Sequence, residues 1–192
     1  MKSLEQCISE NIPISLDALK VIESKFQSRQ LKKGEYFLQS GIRCREMAFI
    51  ESGYVRMYDL AEGNEVTLWI GSGGSFITSL ASFVFESVNY WNIQAITDCK
   101  LHVISKKDHE ELLSRVPKWM EFDNLLLARA YALLEQSMFS QLHTTARQRF
   151  DSLMAENPAI FNHVPLQHIA SMLGIKPETL SRLRKNAGSI TS

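Results

Sequence analysis

Residues 166–185 read LQHIASMLGIKPETLSRLRK. Two helices that cross closely at a tight turn need a small residue at the crossing, a glycine able to reach φ > 0, and apolar residues inside both helices. Counting from Leu166, Ala170 is the small residue at the fifth position and Gly174 the turn glycine at the ninth. Ile169, Leu173, Ile175, Leu180 and Leu183 fill the fourth, eighth, tenth, fifteenth and eighteenth positions with apolar side chains. Pro165 and Pro177 each stand where a helix is expected to begin. The second helix then turns a polar face outward: Lys176, Glu178, Thr179, Ser181, Arg182 and Lys185. With its first turn in a major groove, Arg182 suits guanine O6 and N7, and Glu178 suits the cytosine amino group. Thr179, Ser181 and the basic side chains suit phosphates. The plainer reading is a helical hairpin with a solvated charged face, but such a hairpin has no need of a carboxylate inside a basic face. A carboxylate weakens general phosphate attraction, so Glu178 is better explained by base discrimination.

The charge distribution supports the same module. The 192 residues carry 21 Lys+Arg against 21 Asp+Glu and no net charge. Residues 143–192 hold six Lys/Arg and three Asp/Glu, whereas residues 1–142 hold fifteen and eighteen. A near-neutral chain with a basic last quarter is able to carry a nucleic-acid module there. With 45% hydrophobic and 22% charged residues, the composition excludes intrinsic disorder as the main state. Cys7, Cys44 and Cys99 are odd in number and dispersed, which argues against a disulfide framework or a zinc or cysteine-ligated cluster site. His163 and His168 are five apart, not the four that set two ligands on one helix face, and His102 and His109 read as ordinary surface or core residues. No metal or cofactor is expected. The first residues, MKSLEQCISENIP, lack the apolar run of a signal peptide, and no stretch is long and apolar enough to span a membrane. A reduced cytoplasm is the expected location.

Upstream of the basic quarter lie two textures. Ser15–Phe26 has helical spacing with Ser15 as N-cap. Between Leu31 and Ile104, short aromatic and β-branched runs alternate with glycines: Glu35–Leu38, Met47–Ile50, Tyr54–Tyr58, Glu65–Ile70, Trp91–Ile96 and Lys100–Ile104. This spacing predicts an antiparallel sandwich or barrel. Ser105 and Asp108 form a capping signal for a helix to about Arg115, and Pro117 starts a long one running to about Leu142. One stripe of that helix holds Leu126, Ala130 and Leu133, and another holds Met120, Leu127, Tyr131, Leu134 and Met138. Two apolar faces require two partners. One is the β region; the other is either a second copy of the chain or the interior of the same monomer. Thr145 with Gln148 opens a further helix that ends before Pro158, leaving His143-Thr144 as a hinge.

On these residues the chain resembles the Crp/Fnr family of bacterial transcription regulators, over residues 10–188. The resemblance rests on LKKGEYFLQSG, FIESGYVRMY, EVTLWIGSGGSF, QAITDCKLHVISKKD and KPETLSRLRK, and is nearest to the branch found in Bacteroidetes-type bacteria. It implies an α+β fold with a cyclic-nucleotide-binding-like β-roll or jelly roll at residues 1–116. A dimerisation helix at 117–143, including Leu126, Leu127, Ala130, Leu133 and Leu134, and an all-α helix-turn-helix domain at 144–192 would follow. Its glycine turns fall on Gly34, Gly41 and Gly53, and its base-reading pattern on Glu178, Ser181 and Arg182. Only residues 186–192 follow the recognition stretch, too few for a β-hairpin wing with ordered flanks, so the family's wing contacts to the minor groove are not expected here. The implied partners are double-stranded DNA, a second copy of the chain, an unknown small-molecule effector and RNA polymerase.

The resemblance breaks at the effector site. The family's cyclic-nucleotide binders hold the ribose and phosphate with a Gly-Glu pair and an Arg-Ser pair, which here fall on Ile77-Thr78 and Asn89-Tyr90. A cyclic phosphate without its arginine would be a buried, unpaired charge, so cAMP and cGMP are not expected. The residues at hand, Phe76, Ile77, Thr78, Ser79, Asn89 and Tyr90, make either a pocket for a less charged ligand or a collapsed core. Against the transcription-regulator reading stands a ligand-binding module without sequence-specific DNA binding. No nucleophile–base or paired-carboxylate spacing supports an enzyme.

Overall fold

The computed structural model describes residues 2–188. Two short helices come first, α1 (Leu4–Ser9) and α2 (Leu16–Ser24), each started by a serine: Ser3 forms a capping box with Gln6, and Ser15 accepts from the Ala18 amide. Helix α1 is additional to the sequence expectation, and α2 stops at Ser24, short of Phe26. Eight strands follow: β1 (Gln27–Leu31), β2 (Tyr36–Leu38), β3 (Glu46–Ser52), β4 (Tyr54–Ala61), β5 (Asn64–Ser72), β6 (Phe76–Ile77), β7 (Asn92–Ala95) and β8 (Cys99–Ser105). Helix α3 (Leu80–Phe85) sits between β6 and β7. The strands form two antiparallel sheets, in the orders β1-β8-β3-β6 and β2-β7-β4-β5.

The six expected β runs are all strands. Strands β1 and β6 and helix α3 are additional, and the reason is visible in their residues. Strand β1 reads QSRQL, with only Leu31 buried, and is held to β8 by backbone pairing and to β3 by a two-pronged ion pair between Arg29 and Glu46, 2.7 Å at each oxygen. Such a segment has no apolar alternation to read. The roll core is built from inward-facing residues of both sheets, among them Phe49, Ile50, Val55, Ile93, Leu101 and Ile104, all fully buried.

Helix α4 (Lys106–Arg115) begins at its Ser105 cap, whose hydroxyl accepts from the Asp108 amide at 3.1 Å. Helix α5 (Pro117–His143) has proline in its first turn, as the sequence predicts. Its opening turns belong to the roll: Trp119 and Phe122 are fully buried, with Trp119 edge-on to Phe26 and Phe122 edge-on to Phe76. Leu126 packs at the margin of this core. Beyond it the helix leaves the roll, and both apolar stripes emerge into solvent, including Leu127, Tyr131, Leu133 and Leu134. The helix ends at His143, capped at Thr144.

Four helices complete the chain: α6 (Ala146–Glu156), α7 (Ile160–His163), α8 (Leu166–Met172) and α9 (Pro177–Gly188). Thr145 and Gln148 form the expected capping box. Helix α9 takes up three of the residues expected to trail the recognition stretch; residues 189–192, the rest of the tail expected to be too short for a wing, lie outside the described residues. None of the described helices is long and apolar enough to cross a membrane.

Gly34, Gly41 and Gly53 all adopt positive φ. Gly53, at φ +95, is the tightest of the three: an added Cβ would lie 2.5 Å from the Asp98 carbonyl oxygen and 2.6 Å from Cys99 Sγ. Gly53→Ala is expected to destabilise the roll by more than the ~1–2 kcal/mol of the left-handed conformation alone, because the backbone of the β7–β8 turn must also move. Urea unfolding midpoints of the two proteins measure this.

Candidate nucleic-acid interface and effector region

Helices α8 and α9 meet through the residues that the sequence singled out. Ile169, Ala170 and Leu180 are fully buried and Leu173 nearly so, with Ile175 and Leu183 packed against them. Phe150 of α6 and Ile160 and Phe161 of α7 close the same core, with the Phe150 and Phe161 rings edge-on at 5.6 Å. Gly174 makes the turn at φ +64. A side chain there would come within 2.7 Å of Gln141 Oε1, and Gln141 Nε2 donates to the Met172 carbonyl at 3.2 Å, so the end of α5 is clasped to the turn. Arg149 adds a second clasp, donating from Nε to the Leu173 carbonyl at 2.8 Å and from Nη1 to the Thr144 carbonyl at 2.6 Å. It ties the C-terminus of α8 to the end of α5, which favours a cation at those carbonyls.

The polar residues of α9, and Lys176 just before it, are exposed or half-buried. Lys176, Glu178, Arg182 and Lys185 are exposed, and Thr179 and Ser181 are half-buried. Neither Glu178 nor Arg182 is drawn into an ion pair among the described residues; Arg182 Nε makes only a long contact of 3.4 Å to the Glu178 carbonyl. Arg184, which the sequence reading passed over, lies 5.9 Å from the Phe161 ring centre. Arg184 and the clasp residues Gln141 and Arg149 carried no signal in the sequence, since their partners are carbonyls and a ring brought near by folding.

The six residues expected at the effector site are placed differently from one another. Phe76 packs on Phe49 at 5.2 Å between ring centres, and Ile77 pairs with Ala48 and is buried. The Thr78 hydroxyl is turned to the main chain of β3, donating to the Glu46 carbonyl at 3.0 Å, and Ser79 is buried at the start of α3. Asn89 is 1% exposed: its amide nitrogen donates to the carbonyls of Gln39 and Trp91, and its oxygen accepts from the Trp91 amide. Ser82 fastens the same region, donating to the Ser87 carbonyl at 2.6 Å and accepting from the Cys44 amide at 2.8 Å. Tyr90 is 72% exposed. No charged side chain stands at any of the six positions, and the polar ones at 78 and 89 have spent their hydrogen bonds on the backbone.

The histidines that read as ordinary are engaged locally. His109 is buried, with Nε2 2.9 Å from Asp123 Oδ1 and its ring edge-on to Phe83 and Trp119; His102 pairs with Glu51. All three cysteines are buried, and burial pushes the Cys7 and Cys99 thiols up. A buried thiol held protonated is a poor nucleophile.

One cluster was invisible in the sequence. Arg56 of β4 is 5% exposed, although it is a full cation. Its guanidinium lies 3.8 Å from the Tyr58 ring centre and donates to Gln94 Oε1 at 2.8 Å and Glu65 Oε1 at 3.1 Å. Nη1 also meets Nδ1 of His168 in α8 at 2.8 Å. Burial, followed by the Tyr36 hydroxyl 3.1 Å away, pushes the Tyr58 phenol up to about 12. The outer face of β4 and β5 is therefore covered by the C-terminal helices, with Tyr54 stacked on His163 at 5.4 Å and Ile70 and Ile96 sharing the helical core.

The family description that matches the chain is the cyclic nucleotide-binding domain, over residues 28–116, from β1 to the end of α4. Comparison with curated proteins gave no match. Among solved structures, the chain is similar to a CooA mutant from Carboxydothermus hydrogenoformans, with 18% identity, TM-score 0.71, and coverage of 99% of this chain and 85% of that one. It is also similar to FixK2 from Bradyrhizobium japonicum, with 15% identity, TM-score 0.74, and 86% of each chain covered. A third likeness is to CLP of Xanthomonas campestris, described as a c-di-GMP-responsive global regulator, with 15% identity, TM-score 0.70, and 92% and 93% covered. Residues 28–116 thus match the cyclic nucleotide-binding domain, and the chain as a whole shares the fold of these regulators.

Proposed function

We propose that the chain is a Crp/Fnr-type transcription regulator: a homodimer that reads DNA with α9 and carries a β-roll tuned to an effector other than a cyclic mononucleotide. The observation that carries the reading is the outer face of α9, where Lys176, Glu178, Arg182 and Lys185 stand exposed on a helix anchored by fully buried Ile169, Ala170 and Leu180. A rigid helix with polar, unburied side chains over its first turns is what a major groove accepts. RNA polymerase is a further partner by family resemblance, and the cytoplasm the corresponding location.

The dimer reading rests on α5. Leu127, Tyr131, Leu134, Met138 and Leu142 are all exposed and repeat every three or four residues along one stripe. An apolar seam of this period is stable in water only when covered, and a second copy of the same helix fits it. Two recognition helices would then address half-sites about 34 Å apart.

The absence of a charged anchor at Ile77, Thr78, Asn89 and Tyr90 supports the exclusion of cAMP. Asn89 cannot substitute for an arginine, because its amide already bonds three backbone groups.

A binding selection with the purified chain should return a pseudo-palindrome. Arg182→Ala is expected to cost about 1–3 kcal/mol at one base pair and to relax specificity there, while Lys185→Ala weakens all duplexes alike and reduces the salt slope by about one. Equal losses on selected and random DNA in both variants would remove the groove assignment and favour the ligand-binding module. Leu134→Glu should convert the dimer to a folded monomer in sedimentation experiments; an unchanged dimer would place the seam elsewhere. Calorimetry with cAMP should show no heat of binding at roughly 100 μM, against the micromolar affinity that a paired phosphate allows.

A further inference from the structure

We infer that α8 and the β4–β5 hairpin form a reversible latch, in which a neutral His168 holds the C-terminal helices on the outer face of the roll and its protonation releases them. Its regulatory meaning rests on the DNA reading above, since release would free α8 and α9 to move relative to the roll; the contact itself does not.

Three features make this contact a switch rather than permanent packing. The first is the direction of the hydrogen bond. A guanidinium only donates, so Nδ1 of His168 must be the acceptor in the 2.8 Å contact with Arg56 Nη1. That requires the neutral ring with its proton on Nε2. A second proton would remove the acceptor and set a cation against Arg56, which is only 5% exposed.

The second feature is the free edge of β5. This strand pairs only with β4 and ends its sheet. On its open side the Thr67 amide donates to Ser171 Oγ at 2.9 Å, and Ser171 Oγ donates to the Glu65 carbonyl at 3.2 Å. One serine hydroxyl thus takes the place of a rung of a missing strand. Edge groups paired by a side chain can exchange that partner for water far more readily than groups in a continuous ladder.

The third feature is an imperfection. Thr67 is 3% exposed, and its own hydroxyl is buried without any hydrogen-bond partner. The docked state therefore withholds from this group a bond that water supplies when α8 lifts away. A register shift puts Thr67 there. Met57 pairs with Trp69 but Tyr58 with Thr67, so Leu68 is the extra residue and Thr67, Ile70, Arg56 and Tyr58 share the outer face.

The charged groups acting on His168 are Arg56 from β4, which opposes protonation, and Glu65 from β5, which favours it. Helix α9, on the other side of α8, adds none among the described residues. Burial is the largest influence and, with Arg56, it holds the imidazole below its ordinary range. A group whose pKa is depressed in the docked state stabilises docking above its ordinary pKa and loses that contribution as pH falls. The latch is thus closed above about pH 6.5 and weakens below it.

Amide exchange of the full-length chain by NMR tests this without DNA. The Thr67 protection factor is expected to fall about tenfold from roughly pH 7.5 to pH 5 while Leu101, in the centre of β8, keeps its own. In His168→Gln, whose amide oxygen can accept from Arg56 but does not titrate, Thr67 protection should stay flat. Ser171→Ala should lower it at both pH values. A Thr67 amide indifferent to pH in the wild type, an equal fall in His168→Gln, or a parallel loss at Leu101 would each overturn the latch. Anisotropy titrations with selected and random duplexes form a separate arm. Indiscriminate binding there would remove the DNA reading and leave the Thr67 result standing, whereas specific binding with a pH-invariant Thr67 would remove the latch alone.

Discussion

A buried guanidinium constrains this molecule more than any other group. Arg56 cannot lose its proton, and in the interior it must be surrounded by acceptors or a ring face. The chain supplies them from four places: Tyr58 beside it on β4, Glu65 on β5, Gln94 on β7 and His168 on α8. Three belong to the roll and one to the C-terminal helices. The cation is therefore paired within the sheet, and the docked helix completes its set of partners. Its burial comes from the same covering that hides Thr67 and stacks Tyr54 on His163.

Around this junction the chain divides its labour by the way it buries surface. The roll closes on an aliphatic and aromatic core that takes in only the first turns of α5. The C-terminal helices build a smaller core of their own and borrow Ile70 and Ile96 from the roll to complete it. Between the two, α5 carries more apolar surface than either core covers. One helix thus has three environments along its length: rigid anchorage at Trp119 and Phe122, an exposed seam from Leu127 onward, and the polar clasp of Gln141 on the α8–α9 turn. That clasp and Arg149 tie the end of α5 to the α8–α9 turn, both through backbone carbonyls.

The segment from β6 to β7 spends its polar side chains on the surrounding backbone. The match to a cyclic nucleotide-binding domain spans β1 to α4. Within it Thr78 donates to the Glu46 carbonyl of β3. Asn89 joins the 39 and 91 backbones and Ser82 joins 44 to 87, which stabilises the connection between β6 and β7.

The sequence by itself determined whatever depends on neighbours along the chain. Serine and threonine caps, Pro117, the turn at Gly174 and the apolar register of α8 and α9 are short-range requirements, and the structure has them where the residues demand. It also fixed the alternation that makes β4, β5 and β8 strands. Strand β1 escaped because its stability is lent by β8 and by the Arg29–Glu46 pair, not by its own pattern. The burial of Arg56 escaped for the same reason on a larger scale, since His168 lies 112 residues further along. An arginine on a strand reads as a solvated residue until another element covers it, and only the tertiary structure decides which element that is. The same holds for the two stripes of α5: their apolarity is in the sequence, but the length over which the roll covers them depends on where the core ends.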